Sequence, residues 1–502
     1  MHEAPARSAR RQNLLDGGFT VALLLVAVVI GYSVLTPTPL RARTLPTTVA
    51  VASTMTPSIS GPPAATATDA LVGPIFDDPR ADLPPAVSKP LPPPAVTWAT
   101  PLSGKVLDSG RKPLAGASVV VGGKEIRTDA EGSFTLETLP PDASLVVKLP
   151  GYEKAIVAPR KGAVEVVLRP QVVKAAYLTY FGVGDRGIRG RVLDLATRTE
   201  INGVVIDVKG DRGWVLYRTE VEQALAAGAQ GPGTLKDFDG LMADFKARGL
   251  YTIARIVVFK DNILATHKPE WAVIDTRTGK PWIDNERLAW MDPFREEVWS
   301  YNIALAKEAV RRGFDEVQFD YVRFPTDGKL AAARYARPNT RETRLPAIAA
   351  FLERARREIG ASGAFLAADV FGYTAFNEND TDIGQRIEEL APHLDYISPM
   401  VYPSGYHRGI PGYRNPVANS YQVVHESIRL IRKRAAHTQV RVRPWLQDFR
   451  DYAFDRRIFG VTEIRAQIKG TEDAGGVGWM LWNPRNDYTA AALRGKAPLA
   501  AR

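Results

Sequence analysis

The chain has 502 residues, 45% of them hydrophobic, a net charge of +10 and no cysteine. That length supports more than one core, and the missing thiols exclude disulfides, thiolate catalysis and cysteine-held zinc or iron–sulfur sites. The basic residues are scattered among nearly as many acids with no basic run, which reads as a solvated surface and not as a nucleic-acid interface.

In chain order, Arg7, Arg10 and Arg11 precede an apolar run from Gly17 to Leu35, close to the ~20 residues that span a bilayer. Residues 17–36 are therefore expected as a transmembrane anchor, with residues 1–16 as a cytoplasmic tail and the rest of the chain periplasmic or extracellular. A cleaved signal peptide is the rival reading, but the small-x-small triplet Ala50-Val51-Ala52 lies far beyond the apolar run. Residues 37–96, rich in Pro, Ala and Thr, hold too few large apolar side chains to offset the entropy of ordering, and are expected as a disordered tether.

Between residues 97 and 170, short alternating stretches such as Ser118 to Val121 and Ser133 to Leu136 are separated by Gly, Asp and Pro turns. This predicts a small antiparallel β-sandwich. The stretches Gly104-Lys105-Val106, Pro113-Leu114-Ala115-Gly116-Ala117 and Thr128-Asp129-Ala130-Glu131-Gly132-Ser133-Phe134 resemble the carboxypeptidase regulatory-like β-sandwich. The resemblance implies a spacer or docking domain, with an envelope protein or a glycan as its partner.

From 171 to 490, apolar β runs alternate with helical stretches, the signature of parallel βα units. The runs fall at Ala175 to Gly182, Gly203 to Lys209, Thr252 to Phe259, Glu316 to Arg323, Phe365 to Phe371, Tyr396 to Tyr402, Val440 to Leu446 and Val477 to Trp482. Eight such runs predict a (β/α)₈ TIM barrel. Helices predicted over Phe238 to Arg248, Glu296 to Arg312 and Ala347 to Ile359 each stop at a glycine. Residues 491–502 are expected as a tail. The chain has neither a Walker loop nor a Gly-x-Ser-x-Gly elbow. The histidines are dispersed without a metal-binding pair, so neither a metal nor another cofactor is expected.

TIM-barrel active sites lie at the C-terminal ends of the strands, so a polar residue closing an apolar run is informative. Alternation in the fourth run places Gln318 and Asp320 opposite Val317, Phe319 and Tyr321, aiming Asp320 into the barrel mouth. Arg255, Arg323 and Lys209 are within reach as its ion-pair partners or as substrate ligands. The fifth run brings Asp369 to the adjacent strand, forming a carboxylate pair of the kind that cleaves glycosidic bonds. Asp207 closes the second run and Gln447 and Asp448 the seventh, as substrate hydrogen-bonders. Tyr402, Trp445 and Trp482 offer ring faces to sugars alongside Tyr180, Phe181, Tyr321, Tyr373 and Tyr406. His407 lies in the loop after Tyr402-Pro403 and Asn483 follows Trp482.

Six stretches carry a second resemblance: Gly203 to Lys209, Ala254 to Asp261, Phe319 to Pro325, Asp395 to Pro403, Arg443 to Phe449 and Leu481 to Pro484. In that order they are similar to a bacterial family of glycoside hydrolase-like barrels catalogued as a domain of unknown function. The resemblance implies a glycosidase acting on an envelope or extracellular polysaccharide, with Asp320 as nucleophile or principal acid and Asp369 as acid/base. A looser likeness to the α-amylase barrels places Asp320, Asp369 and Asp448 on the fourth, fifth and seventh strands. There the acid/base is usually Glu, so Asp369 departs from the pattern. Adjacent strands favour a retaining outcome over inversion. A non-catalytic polysaccharide-binding or scaffold protein, and a different hydrolase or lyase using the same acids, stay open at this point.

Overall fold

The computed structural model describes residues 101–137, 144–158 and 163–496. The expected cytoplasmic tail, transmembrane span and tether, residues 1–96, lie outside the described residues. Among the described residues no helix is long and apolar enough to cross a membrane.

The upstream domain is a sandwich of two small sheets. One holds β1 (Leu102–Asp108), β4 (Ser133–Leu136) and β7 (Val164–Leu168). The other holds β2 (Ser118–Val121), β3 (Lys124–Arg127), β5 (Leu145–Lys148) and β6 (Ala155–Val157). Alternation along β7 buries Val164, Val166 and Leu168 while Glu165 and Val167 face out. The buried set meets Val106, Val119 and Val147 in the sandwich core. The expected all-antiparallel arrangement needs one correction, because β1 and β7 run parallel.

The second domain is a closed barrel of eight parallel strands. They are β8 (Val173–Leu178), β9 (Gly203–Lys209), β10 (Tyr251–Val257), β11 (Glu316–Asp320), β12 (Phe365–Phe371), β13 (Tyr396–Met400), β14 (Trp445–Gln447) and β15 (Gly478–Trp482). Each pairs with the next, and β15 returns to β8, which pairs with β9. All eight predicted runs are present. The first ends early: Thr179 accepts from the Gly182 backbone N–H and caps a short helix, Tyr180–Gly184, which takes over the end of the predicted strand. The helix predicted from Ala347 begins at Arg341 and runs to Gly360 through Pro346. At its start the Thr340 backbone N–H donates to the Thr343 hydroxyl at 3.0 Å.

Two apolar layers hold the barrel. Outward residues such as Val317 and Phe319 pack under the surrounding helices, Phe319 against Phe351. Inward residues, among them Tyr177, Val205, Ile253, Ala367 and Met480, fill the interior. Residues just past 490 also belong to the packed barrel. Leu493 is buried, and the Glu200 backbone N–H donates to the Arg494 carbonyl at 2.9 Å.

The sandwich closes the N-terminal end of the barrel. Lys148, at the end of β5, is fully buried and donates to the Ala364 carbonyl and to Asp395 Oδ2, the latter at 3.2 Å. Arg356 bridges Asp395 and Glu125, each at 2.7 Å, and the Gly151 backbone N–H donates to the Tyr396 hydroxyl at 2.9 Å. The strand ends carrying the candidate site are at the opposite rim.

Candidate active site

The site is organised by Arg255, which points inward from β10. Its Nη1 lies 2.5 Å from Asp207 Oδ1, its Nε lies 3.0 Å from Asp320 Oδ2, and its Nη2 also donates to Asp320. Tyr177 donates to Asp207 Oδ2 at 2.5 Å. The Tyr177 ring stacks on Trp482 at 4.0 Å, and Arg255 lies over both rings. A guanidinium so enclosed is fixed in direction, because its planar fork and its faces are both engaged.

Asp320 ends β11 with its side chain inward, as alternation requires. Its Oδ1 accepts from the Tyr321 backbone N–H at 2.6 Å. Tyr321 adopts φ 48°, a left-handed conformation costly for a bulky residue, which stops the strand there. Alternation alone would put Tyr321 on the outer face with Phe319, whereas its place in the expected aromatic rim is at the mouth. The turn brings its ring to the mouth, 5.7 Å from Trp290 and beneath the Lys260 ammonium.

Asp369, on the neighbouring strand, lies beside Asp320 and is only 1% exposed. Its Oδ1 accepts from Trp445 Nε1 at 2.8 Å. Its Oδ2 has no hydrogen-bond partner and sits 3.9 Å from Arg255 Nε. Burial, reinforced by the negative charge of Asp320 and only partly countered by Arg255, holds the Asp369 carboxyl well above the ordinary carboxylate range. A proton on this carboxyl belongs on Oδ2, the oxygen that Trp445 leaves unoccupied.

A cavity of about 750 Å³ opens above this cluster, within the size range of small-molecule and oligosaccharide pockets. Of the residues expected at the site, Arg255, Asp320, Arg323, Tyr402, His407, Trp445 and Trp482 line it. So do Tyr321, Tyr373 and Tyr406 from the predicted aromatic rim. Burial lowers the pKa of the His407 imidazole, with Asp451 opposing weakly.

Other expected site residues are used elsewhere. In the pairing of β9 with β10, Arg255 faces Asp207 and Ile256 faces Lys209, so Val208 is an extra residue, a β-bulge. The bulge turns Lys209 to the outer side, where it pairs with Asp261 at 2.6 Å under the Tyr301 ring. Gln318 lies deeper in the barrel, donating to Ser398 at 3.1 Å. Gln447 holds Ser404, Asp448 accepts from the Thr489 backbone and hydroxyl at 2.9 Å each, and Asn483 donates to the Asp448 carbonyl. Tyr180 and Phe181 pack with Trp214 away from the cavity.

Sequence reasoning missed one wall. The insertion after β10 carries Lys260, Asp284 and Trp290 to the cavity, and Asp327 joins them from the loop after β11. Lys260 bridges Asp284 at 2.9 Å and Glu286 at 2.5 Å, and Trp290 Nε1 donates to Asp284 at 2.9 Å. The available signal was the pair Trp282 and Trp290 in a segment with neither helix nor strand periodicity.

The family model described as "Putative glycosyl hydrolase domain" matches residues 175–488, the whole barrel with its mouth. The chain belongs to that family. Upstream of the glycosyl hydrolase domain, the carboxypeptidase regulatory-like domain model matches residues 101–169, the sandwich. A hypothetical protein from Ruminiclostridium thermocellum is 37% identical over 39% of this chain and 97% of its own, with a TM-score of 0.34. The glycoside hydrolase domain of PgaB from Bordetella bronchiseptica is 13% identical over 63% of this chain and 95% of its own, with a TM-score of 0.45. A class V chitinase from Pseudomonas fluorescens is 11% identical over 64% of this chain and 98% of its own, with a TM-score of 0.39. No curated protein matches the chain.

Proposed function

We propose that the glycosyl hydrolase domain cleaves an envelope or extracellular polysaccharide with retention, using Asp320 as nucleophile and Asp369 as acid/base. The observation carrying this reading is the carboxylate pair on adjacent strand ends, one member on the cavity wall and ion-paired, the other buried with its pKa held well above the ordinary carboxylate range. Both carboxylates approach the same Arg255 Nε, at 3.0 Å and 3.9 Å, which supports the close ~5 Å spacing of retaining enzymes over the ~6.5–9.5 Å of inverting ones. Asp320 Oδ attacks the anomeric carbon as the glycosidic C–O bond breaks, and the leaving oxygen takes the Asp369 proton. Asp369 then takes a proton from the water that attacks the same carbon, and Asp320 leaves as carboxylate. Arg255, gripped by Asp207 and Tyr177, keeps Asp320 aimed. The aromatic walls Tyr402, Trp445 and Trp482 offer faces to the C–H surfaces of sugars. The basic and apolar N-terminal segment supports a single-pass anchor that holds both folded domains on the far side of the cytoplasmic membrane.

The test is to incubate the full chain, wild type and Asp320→Asn, with a panel of envelope and secreted polysaccharides while following new reducing ends. Wild type releases them and the variant is slower by about four orders of magnitude or more. Equal rates overturn the assignment of Asp320. Binding without cleavage across the panel favours a polysaccharide-binding scaffold.

A further inference from the structure

Four arginines are buried among the described residues: Arg255, Arg323, Arg344 and Arg443. Three of them hold a carboxylate. Arg255 holds Asp207 and Asp320, Arg344 holds Asp380 and Arg443 holds Glu316. Arg323 does not, although it is only 8% exposed.

Its Nη1 donates to the Phe324 carbonyl at 3.0 Å and to the Thr326 hydroxyl at 3.3 Å. The rings of Trp290, Tyr321 and Phe371 surround the guanidinium at 5.0, 4.8 and 4.6 Å. The aromatic faces hold the cation by its quadrupole attraction and fix the plane of the fork. They leave Nε and Nη2 without a protein partner on the wall of the same cavity that Asp320 lines. A buried cation without a counter-ion is costly, and burial pulls its pKa down against the more distant charges of Asp327 and Asp320. The carboxylates of that wall are engaged elsewhere, Asp284 with Lys260 and Trp290, and Asp327 with the Asn285 backbone N–H at 3.3 Å.

We propose that Arg323 is the receptor for a sugar carboxylate, so that the polymer entering the cavity contains uronic acid units. A carboxylate presents two coplanar oxygens that match the free edge of the guanidinium. Because Asp327 and Asp284 are nearby, a singly charged planar group is favoured over a doubly charged phosphate. The inference rests on the polysaccharide reading of the cavity but not on cleavage.

The experiment measures equilibrium binding of the full chain to oligogalacturonate, oligoglucuronate and oligomannuronate, each beside its carboxyl-reduced neutral counterpart, with reducing ends followed in parallel. The expected result is that at least one uronate binds and that its reduced form binds roughly 10- to 100-fold more weakly. Arg323→Gln should lose the same factor for the uronate and bind the two forms alike. The ligand comparison on wild type stands even where the variant fails to fold. Equal affinity for a uronate and its reduced form, or no binding to any uronate, overturns the proposal. Carboxylate-dependent binding without new reducing ends upholds Arg323 as receptor while removing the hydrolase reading. Cleavage of neutral polysaccharides alone does the reverse.

Discussion

The two ends of the barrel bury the same chemical group in opposite states. At the closed end, burial would raise the Asp395 carboxyl, but Lys148 and Arg356 outweigh it and hold the group below the ordinary range. At the mouth, Asp369 is equally enclosed yet faces another carboxylate and only a shared guanidinium, and it is held well above that range. The closed end satisfies its charges and joins two domains. The mouth leaves Asp369 Oδ2 and Arg323 incompletely matched, which is where a ligand has something to offer.

The sharpest break of this contrast is Asp369→Asn. As acid/base, its loss should lower kcat about 10²- to 10⁴-fold. The wild-type carboxyl, raised in the folded state, contributes stability that is fully present below the unfolded pKa and lost as pH rises through the folded one. The variant should therefore gain on wild type in chemical denaturation at neutral pH and not at pH 3. A variant that loses stability at neutral pH would remove the protonated-acid assignment.

At the other end, Lys148→Met should cost about 3 kcal/mol, the low side for breaking a buried pair, since Arg356 remains beside Asp395. Urea titration reads the loss, and kcat of the folded fraction should be unchanged. A fall in kcat at constant fold would mean that the sandwich reaches the chemistry.

The smallest effect tests a residue expected to bind substrate. Burial, partly offset by Thr489, pushes Asp448 up to about 6. Its contribution is fully present below about pH 4 and lost as pH rises through about 6, a decline of about 3 kcal/mol. Asp448→Asn should flatten that slope in stability measured against pH while leaving carbohydrate binding intact. A slope unchanged by the substitution would reassign it.

Strand positions, the pairing of Asp320 with Asp369 and the aromatic rim were legible because period-two alternation survives in β11 and β12. Asp448, Gln447 and Asn483 close strands in the same manner, and sequence does not tell a strand end facing the cavity from one tied to its own loop. Asp284 and Trp290 arrive on an insertion with no periodicity. The seam at Lys148 and Asp395 joins residues far apart in the chain, each unremarkable in its own neighbourhood.

The bulge at Val208 behaves as a change of reading frame for side chains. Upstream of it, odd-numbered residues of β9 face the interior; at Lys209 the phase has flipped. Strict alternation over the same residues, without the bulge, would rotate a second cation into the mouth beside Arg255 and leave Asp261 without its lysine in the outer core. The charge balance of the mouth is therefore set by the register of a strand as well as by the identity of its residues.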